Sequence, residues 1–277
     1  MKRKYFAIPY AVWMLVLIIA PMILIMMYAF TGQADGAFTL DNIKEALNPV
    51  YMKVLLRSLE LAVISTVICL FLGYPIAYFL SRMPARRAAI LSMLFIVPMW
   101  MNFLLRTYAW MNILDTNGLI NQLLVALDLG RVKLMNTQGA VVVGMVYNYL
   151  PFMILPIYNI LQKMPKESIE AAQDLGSTDR QVFTKVVFPL SIPGVISGIT
   201  MVFIPTITTF AISRLLGGSQ FMLYGDLIEN QFLSVGQANG GWHVGAALSF
   251  IMMVLVFICM AIANHFDKGE ENGGTMI

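Results

Sequence analysis

Residues 12–25 read VWMLVLIIAPMILI. Every face of this stretch is apolar. A membrane-spanning strand alternates apolar and polar residues over about 10 positions, so the stretch reads as a helix with lipid on all sides. It lies inside a run, 5–34, that lacks Asp, Glu, Lys and Arg, and five more such runs follow at 61–81, 88–105, 134–162, 186–213 and 230–266. Crossing the hydrocarbon core takes about 20 mostly apolar residues, with about 17 as the lower limit, and each run holds one crossing. The spans are expected near 7–30, 59–81, 89–111, 139–162, 190–213 and 244–265. Two other charge-free stretches, 116–127 and 215–225, are too short to cross. The fold class is therefore an all-α integral membrane protein, with six transmembrane helices in a single domain, 1–277.

Composition agrees with this reading. Of 277 residues, 59% are hydrophobic and 12% charged, against about 25% charged in an ordinary soluble chain. A net charge of +3 offers no support for a nucleic-acid partner. Pro21, Pro98, Pro151, Pro156 and Pro205 fall inside the expected spans, which predicts kinked helices whose freed carbonyls are satisfied by neighbours. The apolar stretch after Lys2, Arg3 and Lys4 is longer than the ~7–15 residues of a signal-peptide core, so the first span is expected to be retained.

Six spans put both termini on one side. That side collects Lys2, Arg3, Lys4, Arg82, Arg86, Arg87, Lys163, Lys166, Arg180, Lys185 and Lys268, which is 11 of the 18 basic residues. The positive-inside rule makes it the cytoplasmic side. Cys69 and Cys259 lie within spans and are expected to be small apolar packers. His243 and His265 stand 22 positions apart, at the two ends of the last span. No HExxH, CxxC, GxSxG or GxxxxGK[ST] pattern occurs, so neither a metal or hydrolase centre nor a nucleotide loop is expected.

One loop carries a pattern. Residues 163–193 read KMPKESIEAAQDLGSTDRQVFTKVVFPLSIP. Pro165 suits the first turn of a helix, Glu167 the positive end of its dipole, and Gly176 the left-handed residue that ends it. Thr178 and Gln181 fit a capping box that starts a second helix. Two short helices with a glycine break are expected. Ser168, Ala171, Ala172 and Leu175 form a small, flat stripe on the first, and Glu167, Glu170 and Asp174 an acidic one. Spacing alone allows a docking knob for a partner or a re-entrant loop packed on its own bundle.

The segment resembles the EAA motif of the membrane subunits of ATP-binding-cassette importers: EAA, three residues, Gly, nine residues, then Ile-x-Leu-Pro. Glu170-Ala171-Ala172 is followed by three residues and Gly176, and nine residues later come Val186, Val187, Phe188 and Pro189. Val186 and Phe188 depart from the Ile and Leu of the motif but stay apolar. Phe38-Thr39-Leu40-Asp41-Asn42, Leu72-Gly73-Tyr74-Pro75, Val97-Pro98-Met99-Trp100-Met101-Asn102, Leu150-Pro151-Phe152 and segments within 216–233 are similar to the spermidine/putrescine importer permeases of the PotB type.

The resemblance implies a type I importer-like bundle in the bacterial cytoplasmic membrane that forms half of a polyamine pathway and is itself non-catalytic. It implies a second, PotC-type permease, two PotA-type ATPase subunits that bind ATP and Mg, and an extracellular PotD-type binding protein. This chain would bind no cofactor. Glu170, Ala171, Ala172, Asp174 and Gly176 would couple it to the ATPase through the 163–189 loop. A pathway for polycations wants carbonyl or carboxylate acceptors and aromatic faces, which makes Trp100, Asn102, Tyr108, Trp110, Asp115, Asn148, Tyr149 and Phe152 the candidates. Interfacial enrichment of Trp and Tyr accounts equally for Tyr108 and Trp110, a packing hydrogen bond for Asn148, and a solvated loop-end charge for Asp115. Arg106 fits a cation pathway poorly; it reads either as a snorkelling side chain or as a partner for an acidic residue of the other membrane subunit. Three alternatives stay open: an importer permease for a metal ion, oxyanion or amino acid; a secondary transporter or channel working alone, against which the absence of Asp, Glu, Lys and Arg from the six charge-free runs counts; and a membrane scaffold, against which the EAA loop counts.

Overall fold

A computed structural model describes residues 8–32, 36–218, 221–233 and 241–273. Helix α1 runs as Ile8–Met14, a π-helical turn Leu15–Ile19, and Ala20–Phe30; α2 is Asp41–Ala46 and α3 is Pro49–Arg82. Helices α4 (Ala85–Trp100), α5 (Phe103–Leu114) and α6 (Leu119–Ala126) follow, then α7 (Gln138–Lys163) and α8 (Lys166–Asp174). Helix α9 comprises Asp179–Val182, a π-helical turn Phe183–Val187, and Phe188–Thr208. A third π-helical turn, Ser213–Gly217, precedes α10 (Tyr224–Leu233) and α11 (Gly241–Gly273). Five helices are long and apolar enough to cross a membrane, and six crossings result if α4 and the helices after it count as one bent span.

That bent span is the main difference from the sequence reading. The expected continuous helix near 89–111 breaks at Met101–Asn102, and the axis turns by 95°. Pro98 removes one backbone donor from the last turn of α4, and Met101 is extended, at ψ 147°. The Asn102 side chain then accepts hydrogen bonds from Leu104 N at 2.8 Å and Leu105 N at 3.4 Å, which satisfies the first turn of α5. The expected span at 190–213 differs too. Its helix starts at Asp179 and ends at Thr208, where Thr209 turns extended at ψ 144°. The π-helical turns before Pro21 and Pro189 share one cause. A proline ring collides with the carbonyl four residues earlier, and widening the preceding turn relieves the collision.

The chain divides into two compact units, 1–56 with 223–257 and 57–222 with 258–277. In the first, α1 ends against α11. His243 Nδ1 lies 3.0 Å from the Tyr28 carbonyl, which can only accept, so Nδ1 carries the hydrogen. Tyr28 stands edge-on to Trp242 and His243, and Phe30 edge-on to Phe250. Asn42 Nδ2 donates to Ala29 O at 3.2 Å and Thr31 O at 2.8 Å, closing the C-terminal end of α1. At the start of α2, the Thr39 hydroxyl and Lys44 hold the Asp41 carboxyl below its ordinary range. Asp226 is only 5% exposed. Its Oδ2 accepts from Leu223 N at 3.0 Å at the head of α10. The rest of the expected return loop, 234–240, lies outside the described residues, as do Lys2, Arg3 and Lys4.

The second unit is built on α7 and α9. Gly194 and Gly198 are four apart on α9 and bring its backbone onto α7. A Cβ at Gly194 would meet Ile157 Cα and Pro156 O at 3.1 Å, and one at Gly198 would meet Met153 Sδ at 2.8 Å. This is the small-xxx-small packing of membrane helices, whose association in lipid rests on close contact. Cys69, Met153, Ile154, Ile157, Tyr158, Leu161, Val187 and Val202 fill the core around it. Between α5 and α7, Asn121 is 1% exposed. It donates to Asp115 O and Val132 O at 3.0 Å each and accepts from Val132 N at 2.9 Å. Asn121→Ala strands these backbone groups, and we expect a loss of about 2 kcal/mol, read as a lower unfolding temperature of the purified protein.

Candidate functional site

The 163–189 loop is organised by its two caps. Pro165 stands one position before α8, as its N-cap residue. At the other end Gly176 is left-handed, at φ +81°. Ser177 N donates to Ala172 O at 3.0 Å and Gly176 N to Gln173 O at 2.9 Å. These two bonds complete a Schellman motif. Two residues on, Thr178 N donates to Gln181 Oε1 at 2.9 Å and Gln181 N to Thr178 Oγ1 at 3.4 Å, a complete capping box. The joint between α8 and α9 is thus four residues, Leu175 to Thr178, with hydrogen-bonded ends on both sides.

The sequence suggested two short helices here, but the second is the head of α9 and runs on into the span. The expected stripe also divides. Ala172 turns inward with Ile169, and both pack against the core of the second unit. Glu170, Ala171, Asp174 and Leu175 face out, with Leu175 87% exposed. One face of the helix packs on the bundle and the other is open.

Four aromatic rings that the sequence reading did not single out hold the base of this joint. Phe183, in the π-helical turn, stands edge-on to Tyr74 at 5.9 Å and to Tyr78 at 5.4 Å, and Phe188 lies 5.7 Å from Tyr74. Tyr74 Oη and Ser191 Oγ share a hydrogen bond of 2.9 Å. Phe188, which stands in place of the Leu of the EAA motif, is thus a packing residue. A cleft of about 310 Å³ opens beneath α8, lined by Tyr78, Arg82, Met164, Ile169, Glu170 and Gln173 among others.

The expected pathway residues fall into three groups. Trp100, 83% exposed, ends α4, and Asn102 spends its side-chain oxygen capping α5. Tyr108 is exposed on α5, while Trp110 stands edge-on to Tyr147 of α7 at 5.3 Å. Asp115 is exposed at the end of α5 and accepts from Asn117 N through Oδ2 at 3.4 Å. On α7, Tyr149 lies 6.4 Å from Phe152 and donates to Pro205 O at 3.4 Å. Asn148 is 2% exposed; Nδ2 donates to Gly144 O at 2.8 Å, and Oδ1 has no hydrogen-bond partner among the described residues. Asn102, Arg106 and Trp110 recur at four-residue spacing and share one face of α5. The contact of Trp110 with Tyr147 was not read from the sequence, although the spacing of the α5 face was there to be seen.

Comparison with known proteins agrees with this architecture. The family described as "Binding-protein-dependent transport system inner membrane component" matches residues 70–271. The spermidine/putrescine transport system permease protein PotB of Escherichia coli (strain K12) is 37% identical over 257 residues, 90% of this chain and 92% of that one. The Haemophilus influenzae protein of the same name is 33% identical over 253 residues, 89% of this chain and 88% of that one. A chain of the bacterial alginate ABC transporter, solved with its alginate pentasaccharide-bound periplasmic protein, superposes with a TM-score of 0.75 at 15% identity, covering 95% of this chain and 92% of that one. The open loop, the joint welded to a long span and the fold shared with an ABC transporter have one explanation: the chain belongs to the family of binding-protein-dependent transport system inner membrane components, the multi-pass permease subunits of ABC importers.

Proposed function

We propose that this chain is one of two membrane subunits of an ATP-driven importer of polyamines such as spermidine and putrescine. The observation that carries the reading is α8, a helix packed on its own bundle by Ile169 and Ala172 and open through Glu170, Ala171, Asp174 and Leu175. The names of its relatives in Escherichia coli and Haemophilus influenzae support the cargo. Both termini and the 163–189 loop lie in the cytoplasm, on the side richer in Lys and Arg. The open face of α8 docks into a cleft of a separate ATPase subunit, which binds ATP and Mg and hydrolyses the nucleotide; this chain is non-catalytic and binds no cofactor. The four-subunit assembly also holds a second, PotC-type permease and two PotA-type ATPase subunits, and a PotD-type extracellular binding protein delivers the cargo.

Closure of the ATPase dimer moves α8. Because only Leu175 to Thr178 separate α8 from the 30-residue α9, the displacement enters a membrane span directly. The α9 packing on α7 then tilts the two together, which alternates access to the pathway. Trp100, Asn102, Tyr108, Trp110, Asp115, Asn148, Tyr149 and Phe152 contribute aromatic faces and polar acceptors along this chain's half of the pathway. One observation favours a second cargo class: the Arg106 guanidinium near the proposed pathway suits an anion. Reconstituting the co-expressed complex in proteoliposomes tests the two together. ATP-dependent uptake of labelled spermidine, competed by putrescine and not by sulfate, amino acids or divalent metal ions, is the expected result. Uptake competed by an anion and unaffected by polyamines would overturn the reading.

A further inference from the structure

Arg106 lies on α5, in the second arm of the bent helix pair that can count as one span; the residue is half-buried, and its Nε is fully buried with no hydrogen-bond partner among the described residues. A charged donor in that state is costly in low dielectric. Among the described residues no ion pair involves Arg106. Asp115 lies nine residues further along α5, roughly 13 Å along the helix axis. The segments around it, 88–105, 134–162 and 186–213, contain no Asp or Glu. One turn on from Arg106 stands Trp110, paired edge-on with Tyr147. These groups can surround a cation but cannot neutralise one.

We propose that Arg106 is a surrogate cation: in the cargo-free importer it pairs with a carboxylate of the second membrane subunit, and a cargo ammonium displaces it as the polyamine passes. The proposal rests on the polyamine reading above. Charge complementarity selects the occupant, since a polycation pathway needs carboxylates and this half provides none within those segments. An empty pathway would leave such a carboxylate as an unpaired buried charge. Arg106 covers it at rest and yields it to a competing cation, so cargo binds against an internal rival and is released when the rival returns.

The test compares Arg106→Gln and Arg106→Lys with the wild type in the complete reconstituted complex, measuring KM and kcat for labelled spermidine and putrescine. Glutamine removes the rival, so KM and kcat for spermidine should both fall, each by about thirtyfold, the low end of what losing one member of a buried charge pair costs. Putrescine, with fewer charges, should change less. Lysine keeps a point charge and should restore both constants to within about threefold of wild type, inside the range of a modest coupling loss. A merely structural arginine would lower kcat with KM unchanged, equally for both cargoes and in both variants, and that result overturns the proposal. So does a wild-type profile in Arg106→Gln. If the wild-type complex takes up no polyamine, or takes up an anion that Arg106→Gln abolishes, the functional reading fails first and the surrogate role with it.

Discussion

Gly176→Pro should abolish ATP-driven uptake in a complex that still inserts and assembles. Gly176 sits at φ +81°, where proline, fixed near −65°, cannot go. The substitution also deletes the N–H that bonds Gln173 O and so opens the Schellman motif. The backbone cost of about 3 kcal/mol or more corresponds to a loss of more than about 100-fold. Nothing lies within 4 Å of the position a Cβ would occupy, so the damage is conformational rather than steric. Gly176→Ala should accordingly lose only about fivefold, the equivalent of ~1 kcal/mol for a left-handed alanine. Uptake and ATP hydrolysis measured in the same vesicles separate loss of coupling from loss of the protein. Normal uptake by correctly inserted Gly176→Pro would remove α8 from the mechanism.

Gly194→Leu should prevent the second unit from forming. The contacts it would enter are Ile160 Cγ1 at 3.0 Å and the backbone atoms Ile157 Cα and Pro156 O at 3.1 Å, so moving the Ile160 side chain alone does not make room. Overpacking costs about 1–3 kcal/mol where side chains can adjust, and a leucine driven between two helix backbones belongs at or above the top of that range. The expected result is little or no monodisperse complex after detergent extraction, with the residual protein melting well below wild type. Gly198→Ala is the milder companion. It meets the flexible end of Met153, Sδ at 2.8 Å, and should lower the melting temperature while leaving assembly intact.

The parts of this molecule that follow from local chemistry were legible in the sequence. Charge-free runs located the membrane helices, because a lipid-facing helix has no alternative way to be apolar for 20 residues. Gly176, Thr178 and Gln181 announced their caps, since a cap depends only on residues within one turn. The break at Met101–Asn102 was harder. The run 88–105 is long enough for one helix, and Pro98 is the sort of residue that spanning helices tolerate. Asn102 was read as a pathway group when it also carries a cap. The division of the EAA stripe depended on tertiary contact. Ala171 and Ala172 are identical side chains, and only the packing of Ile169 tells which one turns inward. The aromatic cluster of Tyr74, Tyr78, Phe183 and Phe188 joins segments about 100 residues apart, and single-sequence spacing carries no trace of such a pairing. The Gly194–Gly198 spacing, in contrast, was visible and went unread.

The direct measurement of whether α8 is where ATP-driven motion enters is a contact map of its two faces in the assembled complex. A photo-crosslinker attached at Leu175→Cys, on the open face, should capture the ATPase subunit. The same label at Ile169→Cys, on the packed face, should capture only this chain. Capture of the ATPase from both positions, or from neither while the complex still takes up cargo, would contradict the account.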